Sequence, residues 1–597
     1  MAKLKIHSEN ILPIIKKWLY TDRDIFLREL VSNASDALNK LKTIACDEKL
    51  SIDTESFAVD VTFDKEAKTL KISDNGIGMS ADEVETYIAQ IAFSGAEEFV
   101  KHYKSDKEED QIIGHFGLGF YSAFMVADKV EVETLSYKEG AKAAHFTSDG
   151  SIEYTLEEGA KESRGTTITL HINDDDFLND RILQDTLLKY CRFLGFPLTF
   201  NGTRLNNKEP LFHRAPSECT DQDYKDFYKT LYPLDPDPIF WIHLNIDYPF
   251  NLKGILYFPK IDRSTSLDKS QIQLFCHRIF VSDNLSDLLP DFLTILKGAI
   301  ESGDIPLNVS RSNLQMDRTV RQIASHISKK VADRLRTLST QDREAYIKIW
   351  PDIENILKLG ALQDEKFFER IEDLLIWKTT KGEWTNIKDY LERAKEAKIL
   401  YTNDEKAHAL TLFEERDEEV LILRSHLDSP LMSHIERKHT PAQCLRIDAE
   451  LSDTLIDTSK EKTLLDEEGK TLATKMAEFF KGQLASDEAL TVSAKSLKSE
   501  KTPALILVDE GTRRLREYMN LTQQQLGEGY PEKREFVINT NNPLTQKIYD
   551  LKDSKPELAQ ALAVQLHQMT LLAQRELDPQ MIPELMASIN QTVSSLL

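Results

Sequence analysis

Glu29, Asn33, Asp36 and Lys40 follow one another at steps of four, three and four within the stretch Asp24 to Leu41. On a helix that spacing sets all four along one polar stripe. Leu27, Leu30, Val31, Ala34, Leu38 and Leu41 make the opposite, apolar side. An ordinary solvated face would also fit the spacing, but the residue types suit chemistry. A carboxylate one turn from an amide can hold a water as general base while the amide oxygen enters the octahedral shell of Mg²⁺.

Three further segments have the composition of a nucleotide site. Gly114-His-Phe-Gly-Leu-Gly119 is a Gly-x-x-Gly-x-Gly loop that can offer bare backbone N–H groups to phosphate oxygens, and a helix beginning near Phe120 would aim its positive end at an anion. Leu70 to Met79, containing Asp74-Asn-Gly-Ile-Gly78, follows the alternating run Val59 to Phe63 and should close a hairpin. Such a segment can be a plain turn. It can also place the Asp74 carboxylate at a strand end, where it accepts a hydrogen bond from the exocyclic amine of adenine while Gly76 and Gly78 leave room for the base. Arg164-Gly-Thr-Thr-Ile-Thr-Leu-His171 reads as a turn into a β-strand, with Thr166 as the second polar contact to the base.

In this order, residues 28–37, 74–79, 114–123 and 164–166 closely resemble the heat-shock protein 90 family of ATP-dependent chaperones, bacterial HtpG type. The wider superfamily also holds gyrase-type topoisomerases, MutL-type repair proteins and sensor histidine kinases. The resemblance implies an ATP site with Glu29 as general base, Asn33 as Mg²⁺ ligand, and Asp74 and Thr166 reading adenine. Asp36, Lys40, Gly78 and Met79 would contribute to the nucleotide pocket, and Gly114, Gly117, Gly119 and the backbone at Phe120 would hold the phosphates.

Residues 300–317 match the family's middle-domain catalytic loop. By that resemblance Arg311, assisted by Gln315, reaches the γ-phosphate. A guanidinium is permanently charged and offers a planar fork of donors, so it suits a phosphoryl group gaining charge in the transition state. A surface arginine at a helix start is the simpler alternative. Tyr87 to Phe99 would form the lid over ATP. It departs from the pattern Gly-Thr-Ile-Ala-Lys-Ser-Gly-Thr common among relatives, because this chain reads Ala89-Gln-Ile-Ala-Phe-Ser-Gly-Ala96 and carries Phe93 where they carry a cation.

With 597 residues, 41% hydrophobic and 29% charged, the chain has the composition of a soluble multidomain protein. No apolar run approaches the ~20 residues of a membrane span, and the charged N-terminus lacks a signal-peptide core. A cytoplasmic, non-membrane protein is expected. Five well-separated cysteines without a Cys-x-x-Cys pair fit reduced thiols, and no histidine spacing suggests a metal. A formal charge of −24 without a dense basic block argues against nucleic acid as a main partner.

The expected fold is a multidomain α/β (α+β) chain. By resemblance, residues 1–210 form a gyrase/histidine-kinase-like (Bergerat) α/β sandwich that binds ATP, 211–455 an α/β middle domain carrying the arginine loop, and 456–597 a mostly helical dimerisation domain. The implied partners are non-native client proteins and a second copy of the chain. No Met-Glu-Glu-Val-Asp tail is present, so tail-reading co-chaperones are not expected. Two other functions fit parts of the pattern: a nucleotide-responsive scaffold with little hydrolysis, and a DNA-linked ATPase of the same superfamily.

Overall fold

The computed structural model describes residues 22–90, 93, 117–151, 153–206, 209–260, 271–283, 285, 288–305, 318–394, 396–407, 409–449, 455–457, 459, 471–484, 490–521 and 533–596. The chain divides into two compact units, Met1–Val331 and Ala332–Leu597.

The first unit is built on helix α1 (Ile25–Asp47), which buries Leu27, Leu30, Val31, Leu38 and Leu41 without remaining exposure. Each such side chain contributes about 1.5–3 kcal/mol of transfer free energy. The helix packs on an eight-stranded sheet of order β5-β4-β3-β6-β2-β1-β7-β8. Its strands are β1 (Val59–Asp64), β2 (Thr69–Asp74), β3 (Ala127–Leu135), β4 (Ala144–Ser148), β5 (Tyr154–Glu158), β6 (Gly165–Ile172), β7 (Leu198–Phe200) and β8 (Thr203–Arg204).

The expected hairpin forms. Val59 faces Asp74 and Asp64 faces Thr69 in an antiparallel register, and strict in-out alternation along β1 follows from the two-residue period of a strand with one buried face. Helix α2 (Ala81–Tyr87) starts at a capping box in which Ser80 and Glu83 satisfy each other's backbone N–H groups. Helix α3 (Asp180–Cys191) is capped by the Asn179 side chain.

A second sheet of order β12-β11-β13-β10-β9 completes this unit: β9 (Phe240–Ile246), β10 (Leu252–Phe258), β11 (Gln271–Cys276), β12 (Ile279–Ser282) and β13 (Lys297–Glu301). The apolar run Ile272 to Val281 forms two strands, β11 and β12, and not one. The chain reverses at His277 and Arg278, both with positive φ (48° and 65°). Neither is a glycine or asparagine, so no turn signal marked the break. Aromatic packing joins the two sheets' surroundings into one core, with Phe193 and Phe275 ring centroids 5.0 Å apart.

The second unit holds a five-stranded sheet, β15-β14-β17-β16-β18, made of β14 (Trp377–Thr379), β15 (Trp384–Thr385), β16 (Lys398–Thr402), β17 (Leu421–Ile422) and β18 (Gln443–Arg446). It also has a three-stranded sheet, β19-β21-β20, of β19 (Leu490–Lys495), β20 (Ala504–Val508) and β21 (Arg534–Asn539). The latter packs against helices within the stretch that the resemblance implies is mostly helical. The chain closes with helices α4 (Pro556–Ala573) and α5 (Ile582–Leu596), joined where Gln565 donates to Ser588 Oγ at 2.9 Å and Thr592 Oγ1 at 2.7 Å. Among the described residues no helix is long and apolar enough to cross a membrane.

A buried charge network fixes the first part of this unit. Asp428 accepts from Lys358 Nζ at 2.5 Å, Trp377 Nε1 at 2.9 Å, and the backbone N–H groups of Arg424 and Ser425. Lys358→Met should therefore lower stability by about 3–5 kcal/mol, because it strands a buried carboxylate without its counter-charge. The measurement is the shift in the denaturant midpoint of the unfolding transition; a shift near zero would show that the aspartate is satisfied without the lysine.

Candidate nucleotide site

The polar stripe of α1 is buried: Glu29 and Asp36 are each 5% exposed, and Asn33 and Lys40 are half-buried. Solvation is therefore not what keeps these residues polar. Burial lowers the Lys40 pKa, and the neighbouring Asp36 opposes that shift.

Glu29 is held by a residue that sequence reasoning missed. Arg28, 1% exposed, donates to Glu29 Oε1 from Nε at 3.0 Å and from Nη2 at 2.8 Å, and its Nη1 reaches the Val281 carbonyl on β12 at 3.4 Å. Adjacent residues on a helix normally point apart, so the sequence offered no reason to pair them. The cause is burial: a guanidinium removed from water needs a counter-charge. With Oε1 committed, Oε2 turns toward Gly119, where an added Cβ would lie 2.9 Å from it and 3.7 Å from Asn33 Nδ2. Gly119 thus has no side chain because the carboxylate needs that space.

Beyond Gly119 the chain forms a seven-residue 3-10 helix, Gly119–Met125, in place of the helix start foreseen near Phe120. Ser122 Oγ donates back to the Gly119 carbonyl at 2.6 Å, and the Phe120 ring packs edge-on against Tyr121 and Phe124, which together hold the tighter turn.

At the other end of the site, Asp74 closes β2 and is buried. Its Oδ1 accepts from the Gly76 N–H at 2.9 Å, and the Thr166 backbone also bonds to it. Burial pushes the carboxyl up to about 7 against these hydrogen bonds and the charge of Lys161. Thr166 follows the β6 start, and its hydroxyl pairs with Thr134 Oγ1 at 2.9 Å. Thr134, on β3, also accepts from the Met79 N–H at 2.9 Å, so one hydroxyl ties together the Asp74–Met79 turn and β6. Gly78 lies in that turn at φ +62°, against the Leu135 carbonyl. No motif announced Thr134; its role appears only once β3 and β6 pair.

The structure therefore brings Glu29, Asn33 and Gly119 together, and Asp74, Gly78, Met79 and Thr166 together. Gly114, Arg311 and Gln315 lie outside the described residues, as does the expected lid apart from residues 87–90 and Phe93. Among the described residues no group of three or more His, Cys, Asp or Glu is placed to hold a metal. A carboxylate and an amide beside Gly119 nonetheless fit Mg²⁺, which takes few protein oxygens when substrate phosphates supply the rest.

Residues 198–594 match the family model described as Hsp90 protein, and residues 24–175 match that of the histidine kinase-, DNA gyrase B- and HSP90-like ATPases. The chain is 40% identical to a chaperone protein HtpG of Bacteroides fragilis over 595 residues, covering 94% of this chain and 86% of the relative. It is also 40% identical to that of Porphyromonas gingivalis, covering 91% and 83%, and 33% identical to that of Idiomarina loihiensis, covering 91% of each.

The state of Asp74 leads to a pH dependence. Because its folded pKa is raised, its contribution to stability is fully present below about pH 4 and is lost as pH rises through about 7. Where Asp74 accepts from adenine's amine the ionised carboxylate is required, and affinity for Mg²⁺-saturated nucleotide should then rise from pH 6 to pH 8, by up to about tenfold. Asp74→Asn should abolish that rise and weaken binding at both values. Calorimetry on both proteins tests this, and a flat profile in the unmodified chain would remove Asp74 as the titrating acceptor. The site's geometry and the matches over both halves agree: the chain belongs to the heat-shock protein 90 family of ATP-dependent molecular chaperones.

Proposed function

We propose that this chain hydrolyses ATP to ADP and phosphate and uses the cycle to remodel non-native client proteins in the cytoplasm. The observation that carries the reading is the Glu29 carboxylate, clamped at one oxygen by Arg28 and turned with the other toward the glycine turn. In that role Glu29 takes a proton from the attacking water. Asp74 and Thr166 read adenine, Asp36 and Lys40 shape the pocket with Gly78 and Met79, and Gly114, Gly117, Gly119 and Phe120 hold the phosphates. Asn33 is the protein ligand for Mg²⁺, which when bound neutralises phosphate charge. Arg311, with Gln315, completes the site at the γ-phosphate.

The proposed domain limits are 1–210, 211–455 and 456–597. Two copies associate through α4 and α5. Met569 (51% exposed) and Leu572 (44%) on α4, with Met586 (52%) and Val593 (49%) on α5, support this reading as apolar area a partner would cover. The acidic balance supports clients of protein type over nucleic acid.

Glu29→Ala should reduce ATP turnover by about 10²–10⁴ while leaving ATP affinity unchanged, since a general base acts only in the chemical step. Arg311→Ala should likewise slow turnover with affinity retained. Steady-state hydrolysis beside calorimetry checks both. Equal turnover in Glu29→Ala and the unmodified chain would remove the base assignment, and tight binding without turnover in either would favour a scaffold.

A further inference from the structure

We infer that the stacked pair of Tyr87 and Phe93 positions the phosphate-binding end of the nucleotide site, with Phe93 a positioning residue that acts on the polyphosphate and not on adenine. The inference rests on the nucleotide-site reading above and deepens it.

The Phe93 ring lies over Tyr87, the last residue of α2, with centroids 6.0 Å apart and planes 16° apart. Past Tyr87 the chain turns at Ile88, whose N–H donates to the Val84 carbonyl, and Phe93 N–H donates to the carbonyl of Gln90. The stack closes this turn from outside and holds the Phe93 backbone in place.

Two contacts join the turn to the phosphate loop. Gly117, at φ +61°, packs directly on the Phe93 backbone: an added Cβ would lie 2.3 Å from its carbonyl oxygen and 2.8 Å from its nitrogen. Tyr121 donates its hydroxyl proton to the Ile88 carbonyl at 2.6 Å. These contacts bracket Gly119, whose missing side chain gives Glu29 Oε2 its space. Mechanical restraint thus runs from the aromatic pair through Phe93's backbone to Gly117 and on to Gly119 and Phe120.

Adenine is read elsewhere. Asp74 ends β2 and Thr166 sits on β6, and their hydrogen bonds run to Gly76 and to Thr134 on β3. Loosening the stack should therefore affect phosphate contacts and leave base contacts alone. Phe93 is 37% exposed and not a core side chain, so truncating it does not open the hydrophobic core.

The test compares Mg²⁺-ATP with adenosine by calorimetry on the full chain. Phe93→Ala should weaken Mg²⁺-ATP about threefold to tenfold, the fold-change that loss of one aromatic pair corresponds to, with adenosine affinity unchanged. Phe93→Tyr should restore ATP affinity. Tyr87→Ala should reproduce the loss, and the double Ala variant should be no worse than either single one, as expected for one coupled pair. Equal weakening of ATP and adenosine would show a general structural effect and overturn the inference, as would unchanged ATP affinity in Phe93→Ala or additive losses in the double variant. Failure of the unmodified chain to bind either ligand would instead overturn the nucleotide-site reading itself.

Discussion

Burial of α1 on both of its faces is the constraint on which the nucleotide site depends. Its leucine side anchors the helix to the sheet, so the opposite stripe is fixed in position and cannot relax toward water. Charged groups in that situation must find partners within the fold. Arg28 and Glu29 do so with each other, at the cost of an adjacent-residue geometry that an exposed helix has no reason to adopt. The pairing has a chemical consequence: it leaves the second carboxylate oxygen directed at Gly119, where no side chain intrudes. Core packing therefore sets the aim of the carboxylate, and the glycine preserves its access.

The same logic operates at the Asp74 end of the site by different means. Asp74 is held by backbone donors from Gly76 and Thr166, and the turn that carries it is tied by the Thr134 hydroxyl to both β3 and β6. Backbone hydrogen bonds place an acceptor firmly but stabilise its charge only in part, which is why desolvation still dominates its proton affinity. An acceptor kept short of charge stabilisation gains more from a ligand's amine than one already saturated.

Much of this was legible in the sequence, for identifiable reasons. The stripe of α1 was readable because four residues repeat at helical steps, and the β1–β2 hairpin because Val59 to Phe63 alternates and the Asp74-Asn-Gly segment follows. What stayed hidden depended on tertiary burial. Arg28 could not be paired with its neighbour by spacing, Thr134 became relevant only through strand pairing, and the reversal at His277 and Arg278 used two residues that rarely adopt positive φ. Phe93 was recognisable as unusual from its position, whereas its stacking on Tyr87 follows from a turn that no local signal marks.

Buried charge is handled differently in the two units, and the difference separates a structural site from a working one. Asp428 is closed on every side, with Lys358, Trp377 and two backbone N–H groups consuming its acceptor capacity, so it can specify packing but has nothing left to offer a ligand. Glu29 is also buried, yet two of the Arg28 donors, Nε and Nη2, converge on one of its oxygens. Its other oxygen, Oε2, faces the space beside Gly119, where no side chain intrudes. In this chain that acceptor lies beside Gly119, between the helix that fixes the carboxylate and the turn that the Tyr87–Phe93 stack holds in place.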